Sequence, residues 1–250
     1  MEQASPMYAR VREGDRQPIF FVPRIILILI ALLVGIHVMR GLISPAYNQF
    51  TLNMFSILPA RYMPDIVSAF PGGVWSAIPS FITYAFLHAD YTHLAINSAW
   101  LLAFGTAVVR KIETARFLSL YLICAASAAL VHVVADMGGL TPMIGASGAI
   151  SGMMGAAFRF PLEDVMGGRK QDLGPEGRRP IRLLPLYDRS FLSMSGIWLL
   201  VNVIFGLSGI QVGEVVMLIA WDAHIGGFVT GAVLIGVFVK NKKVTGVTGA

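Results

Sequence analysis

Two residues in this chain have the types that acyl transfer requires. Ser147 stands in the run Gly145-Ala146-Ser147-Gly148, and His224 stands in Ala223-His224-Ile225-Gly226-Gly227. A serine hydroxyl becomes a useful nucleophile when a base removes its proton, and histidine titrates close enough to neutral pH to take that proton and later return it to a leaving group. The developing oxyanion also needs donors. If Ser147 opens a helix, its own backbone N–H is one, at the positive end of the helix dipole. His93 and Asn97 are four residues apart, so on a helix they share one face. No acid is placed to complete a triad. Asp222 is two residues before His224 and points elsewhere on a helix, and Asp136 ends a different apolar run. Both read as interfacial charges, and a Ser-His dyad is the economical reading.

Other chemistries lack their residues. There is no H-E-x-x-H, so a zinc protease is not supported, and no metal is expected. No pair of mid-membrane aspartates exists for an aspartyl protease. Gly145–Ala149 lacks the last glycine of the G-x-S-x-G elbow. The glycines between Gly138 and Gly155 follow no predicted strand, so no dinucleotide or other cofactor is expected. Cys124, the single cysteine, lies in an apolar run and reads as a packing residue. Of the other histidines, His37 and His132 read as hydrogen-bonded structural residues. His88 reads as a loop-orienting residue or an accessory to the site.

The elements that must bring these groups together are membrane helices. The 250 residues are 56% apolar and only 13% charged, with a mean hydropathy of +0.70. Charged residues make up about 25% of an ordinary soluble domain. This balance excludes a soluble enzyme, a disordered chain and a disulfide scaffold. Crossing a bilayer core takes about 20 apolar residues. Six runs qualify as helices: Ile19–Met39, Tyr91–Val109, Phe117–Asp136, Ser147–Phe160, Ser190–Ile210 and Ala220–Val239. The fourth is short, roughly 21 Å at 1.5 Å per residue, so its N-terminus stops below the outer surface. Backbone from Gly138 to Ala146 then lies at membrane depth, where it must be buried in protein or line a wet cavity. Gly148 and Gly152, and again Gly227 and Gly231, are spaced to let the fourth and sixth helices approach closely and bring Ser147 to His224.

The net charge of +5 reports orientation. Seventeen of the nineteen Lys and Arg residues fall in the N-terminal segment, the second and fourth connections and the C-terminal tail or, as Arg24 and Arg159, near the adjoining ends of the apolar runs, leaving Arg40 and Arg61 on the other side. By the positive-inside rule both termini are cytoplasmic, and nucleic-acid binding loses its support. The chain divides into a cytoplasmic segment 1–18, a membrane domain 19–239 and a cytoplasmic tail 240–250. The domain carries a long membrane-associated external loop, 41–90, and a cytoplasmic loop, 161–189. The first loop is apolar enough to lie in the outer leaflet. Val212–Ala220, just before the last helix, could act as a flap over the cavity.

Taken together, the motifs resemble those of the rhomboid intramembrane serine proteases. Thr83, Phe86, His88, His93 and Asn97 fit T-x-x-F-x-H-x-x-x-x-H-x-x-x-N. Gly145-Ala146-Ser147-Gly148 fits G-x-S-G with Gly152 following, and Ala223-His224 with Gly227 and Gly231 fits the last core helix. Phe104-Gly105 also matches. The resemblance implies an all-α, six-transmembrane-helix bundle with both termini cytoplasmic. It implies Ser147 as nucleophile and His224 as general base and acid. His93, Asn97 and the Ser147 N–H would stabilise the oxyanion, and Gly145, Gly148, Gly152, Gly227 and Gly231 would pack the helices around the site. It implies transmembrane protein substrates, entering sideways from the lipid bilayer and cut near its outer face. Two positions depart from the family. Ser151 replaces the aromatic residue that packs on the histidine in many members, and Trp75-Ser76 is the nearest candidate for a Trp-Arg loop anchor. The alternatives are a catalytically inactive rhomboid-like binder of transmembrane helices and a small transporter. A short N-terminal segment without a long transit peptide suits a bacterial inner membrane, with an organelle membrane as the lesser option.

Overall fold

A computed structural model describes residues 22–64, 66–165, 181–212, 215–217 and 219–239. The expected segments 1–18 and 240–250, the first residues of the run from Ile19 and the Gly167–Pro180 linker lie outside the described residues. Eight helices of more than one turn are described: α1 (Arg24–Leu42), α2 (Pro45–Phe55), α3 (Gly73–Thr83), α4 (Tyr91–Val109), α5 (Thr114–Ala135), α6 (Ser147–Phe158), α7 (Arg189–Ser208) and α8 (Trp221–Phe238). Five of them, α1, α4, α5, α7 and α8, are long and apolar enough to cross a membrane. The sixth expected span, α6, has 12 residues, or roughly 18 Å.

Helix ends follow local chemistry. α1 starts after Pro23, whose missing N–H costs nothing at a helix start, and it ends before the Ser44-Pro45 pair. Asp90 caps α4 by accepting the His93 N–H at 2.8 Å, and Asp188 caps α7 through the N–H groups of Ser190 and Phe191. Between Leu101 and Gly105, α4 widens into a π-helical turn. A side chain at Gly105 would press on Ile26 and Leu101, so its absence lets α1 close against α4.

At the centre of the molecule is α6. Every residue from Gly148 to Ala157 is buried, and its largest contacts are with α8 and then α5. A helix buried all round has no polar face to present, which is why this segment is built of Gly, Ala, Ile, Met and Ser. α1 and α7 sit at the periphery and expose most of their apolar surface, as helices facing lipid would. Ser127 and Thr230 share a hydrogen bond of 2.6 Å between α5 and α8. At the far end, Arg116 donates to Phe238 O, the last carbonyl of α8, and Arg159 donates to Ala232 O within α8 and to Leu184 O in the segment before α7.

Residues 41–90 are more ordered than a loop. They contain α2, α3 and three short 3-10 turns. Arg61 rather than the Trp75 region anchors this segment. The Arg61 guanidinium is fully buried, donates to Met54 O and Ser56 O, and lies 5.5 Å from the Phe70 ring centroid, whereas Trp75 is 90% exposed. The segment also solves the backbone problem posed by Gly138–Ala146. Ile57 and Met143 exchange both backbone hydrogen bonds, the Ala60 N–H donates to Gly139 O, and the Gly145 N–H donates to Tyr84 O. This non-helical backbone is therefore paired with protein. Before α8, Ile210–Val212 and Val215–Met217 pair antiparallel. Of the expected flap Val212–Ala220, residues 213, 214 and 218 lie outside the described residues.

Candidate active site

The close approach of α6 and α8 brings the two reactive residue types together. A Cβ at Gly227 would collide with the carbonyl oxygen of Gly148, and one at Gly231 with that of Gly152. On the facing side, a Cβ at Gly152 would meet Cys124 and lie 3.0 Å from Gly227 O. Backbone thus touches backbone, as the paired glycine spacings predict. In this register Gly148 also faces Ala223 O, the residue before His224. Ser147 and His224 therefore lie at one level, on the first turns of adjoining helices. Among the described residues no hydrogen bond joins them, and catalytic hydrogen bonds often tighten only when substrate binds.

The donors gather beside the same turn. Gly145 has φ +124°, a conformation that an L side chain rarely adopts, and an added Cβ would lie 2.7 Å from His93 Nε2 and 3.5 Å from Asn97 Nδ2. Only glycine lets those two side chains close on the entry to α6. The first bond of that helix runs from the Ile150 N–H to Ala146 O, so the N–H groups of Ser147 and Gly148 have no acceptor within the helix. Tyr84 braces the turn. Its carbonyl holds the Gly145 N–H, and its buried hydroxyl donates to Ala125 O at 2.9 Å beside Gly148.

Asn97 is 2% exposed, and its Nδ2 has no protein acceptor among the described residues. Leaving a buried amide donor unpaired costs on the order of 1–3 kcal/mol, which is what a donor reserved for a transient anion would show. If Asn97 serves that role, Asn97→Ala lowers the turnover number by about 10²–10³ while leaving weak activity. The melting temperature in detergent should not fall, because no protein hydrogen bond is lost. A residue that merely joins helices would give the opposite pattern, with lost stability and undiminished cleavage.

His88 is fully buried, and its ring meets that of His93 edge-on at 5.1 Å between centroids. Its carbonyl accepts from Arg40 at 2.8 Å, which ties α1 to the site. Burial, reinforced by the neighbouring His93 and His37, pushes the His88 imidazole down to about 3. The unfolded chain, with an ordinary value near 6.5, binds more protons between those two limits, so stability falls as pH drops through that window. The loss attributable to His88 is about 2 kcal/mol at pH 5, from about 1.4 kcal/mol per pH unit. His88→Gln should flatten the acid dependence of thermal unfolding between pH 7 and 5 by that share.

The remaining expected residues fall outside the dyad. The Asp222 carboxylate lies 2.9 Å from His132 Nδ1 and accepts from the Ala223 N–H, so it serves the start of α8 and not His224. His37 packs edge-on against Tyr91. Ser151 is buried on α6, and among the described residues no aromatic ring stacks on His224. The partner that the sequence reading missed is Asn202 of α7, whose Oδ1 lies 2.8 Å from His224 Nδ1. A polar residue in the middle of an apolar run was the available signal.

An all-helical bundle with a serine and a histidine on touching glycine-lined helices defines a class of membrane protein. The chain belongs to the rhomboid family: the family model described as "Rhomboid domain" matches residues 71–241. It is similar to "Rhomboid protein 1, mitochondrial" of Saccharomyces cerevisiae, 33% identical over 92 residues, which is 35% of this chain and 27% of that protein. The chain thus matches about a quarter of the length of this curated relative.

Proposed function

We propose that this chain is an intramembrane serine endopeptidase with Ser147 as nucleophile and His224 as general base and acid. The observation that carries the reading is the backbone contact between Gly148 and Gly227, which levels the two residues beside the donors His93 and Asn97. In the proposed sequence His224 takes the Ser147 proton as the hydroxyl attacks a scissile carbonyl. The oxyanion is met by the Ser147 N–H, His93 and Asn97, and His224 protonates the leaving amine before water repeats the sequence on the acyl-enzyme. The substrates are transmembrane segments of single-pass proteins, reached from the lipid bilayer and cut near its outer face. α6 is the sixth membrane element of the bundle, both termini are cytoplasmic, and the membrane is a bacterial inner membrane.

The test is labelling of the detergent-solubilised full chain with a fluorophosphonate probe. Wild type should be labelled and Ser147→Ala should not. An unlabelled wild type, or equal labelling of both, would sink the dyad and leave the inactive-binder reading in its place.

A further inference from the structure

α7 turns Ile197, Leu200, Ile204 and Leu207 outward, yet Asn202 on the same helix is 8% exposed and points inward. Its carboxamide is held at both ends. Nδ2 donates to Trp221 O at 3.0 Å, and Oδ1 lies 2.8 Å from His224 Nδ1. A backbone carbonyl can only accept, so the amide nitrogen must face Trp221 and the oxygen must face the imidazole. That oxygen is also only an acceptor. In neutral His224 the proton therefore sits on Nδ1, and Nε2 is left with its lone pair.

We propose that Asn202 is a positioning residue for His224, fixing the tautomer and ring orientation in which Nε2 can take the Ser147 proton. The proposal rests on the proteolytic reading above. The opposite tautomer would carry its proton on Nε2 and could not act as the base toward Ser147. With Ser151 one turn after Ser147 and no ring stacked on His224 among the described residues, a hydrogen bond from a third helix supplies the orientation instead. Because Asn202 is neutral it directs the imidazole without the electrostatic help of a triad carboxylate. Among the described residues, the titratable groups whose charges act on His224 are Asp222 on its own helix, already engaged by His132 of α5, and His93 of α4.

The experiment uses the purified full chain with a model transmembrane substrate and the fluorophosphonate probe. Asn202→Ala should lower kcat roughly 10–100-fold with KM nearly unchanged, short of the ~10⁴-fold loss seen when a triad carboxylate is removed. Asn202→Asp restores an acceptor, so it should recover much of that rate. It should also move the acidic limb of the kcat/KM profile to higher pH, since a nearby carboxylate favours the protonated imidazole. Wild-type rates in Asn202→Ala, with labelling still dependent on Ser147, overturn the proposal and leave the dyad standing. A parallel loss in both variants with an unmoved acidic limb means structural support only and overturns it as well. Should Asn202→Ala fail to fold, the limb in Asn202→Asp decides alone. A wild type that does not label removes the proteolytic reading and this proposal with it.

Discussion

Ser147→Ala and His224→Ala are each expected to lower cleavage of a transmembrane substrate by about 10⁴-fold or more, and the double substitution should fall little further. The non-additivity is the informative part. A hydroxyl without its base and a base without its hydroxyl are equally unable to begin acyl transfer, so the second loss finds nothing left to remove. Any residual rate would come from the oxyanion donors and from substrate binding, which both variants keep. Substrate capture should therefore survive in Ser147→Ala, because the serine is small and Gly145, Gly148 and the α8 contact do not depend on its hydroxyl. Additive losses, or comparable cleavage by wild type and Ser147→Ala, would mean that the two residues do not act as a unit.

The site was legible in the sequence where it depends on helical periodicity and on membrane cost. Tyr91–Val109 was bounded as it is found, because capping by Asp90 and the basic pair after Val109 both leave local marks. Ser147 as the first residue of α6 followed from the change from Gly- and Pro-containing backbone to a continuous small apolar run. Gly148 facing Gly227 followed from matched four-residue spacings. What the sequence left open were rotations and long-range partners. The helices α2 and α3 were hidden because each is only 11 residues long and neither forms a run of spanning length. Arg61 looked like a stray external charge, but folding of the 41–90 segment wraps it in Met54, Ser56 and Phe70. Asn202 stood out as a polar residue in α7, but the choice between His224 and lipid depends on how far that peripheral helix is rotated, which no local pattern encodes.

The second large effect concerns glycines that do no chemistry. Gly227→Ala adds one methyl group where the structure has the Gly148 carbonyl, with the Gly148 carbonyl carbon 2.9 Å away. Backbone cannot rotate aside as a flexible side chain can, so α8 must move away from α6. Overpacking of this kind costs about 1–3 kcal/mol, and Gly227→Val should cost more because its branched side chain has less room to adjust. Activity should suffer out of proportion to stability. Gly148 is bonded to Ser147, so a shift at this contact displaces Ser147 from His224 directly, and for an acting dyad misplacement by about 1 Å can cost 10²-fold in rate. Gly231→Ala, one turn farther along, should destabilise by a similar amount but leave more activity, since its clash is with Gly152. Gly35→Ala and Gly196→Ala are the controls. Nothing lies within 4 Å of either added methyl, and both stand in helices, where alanine is favoured over glycine. Thermal unfolding and cleavage should be unchanged or slightly improved in these two. If Gly227→Ala behaved like them, the α6–α8 contact would not be what sets the distance between Ser147 and His224.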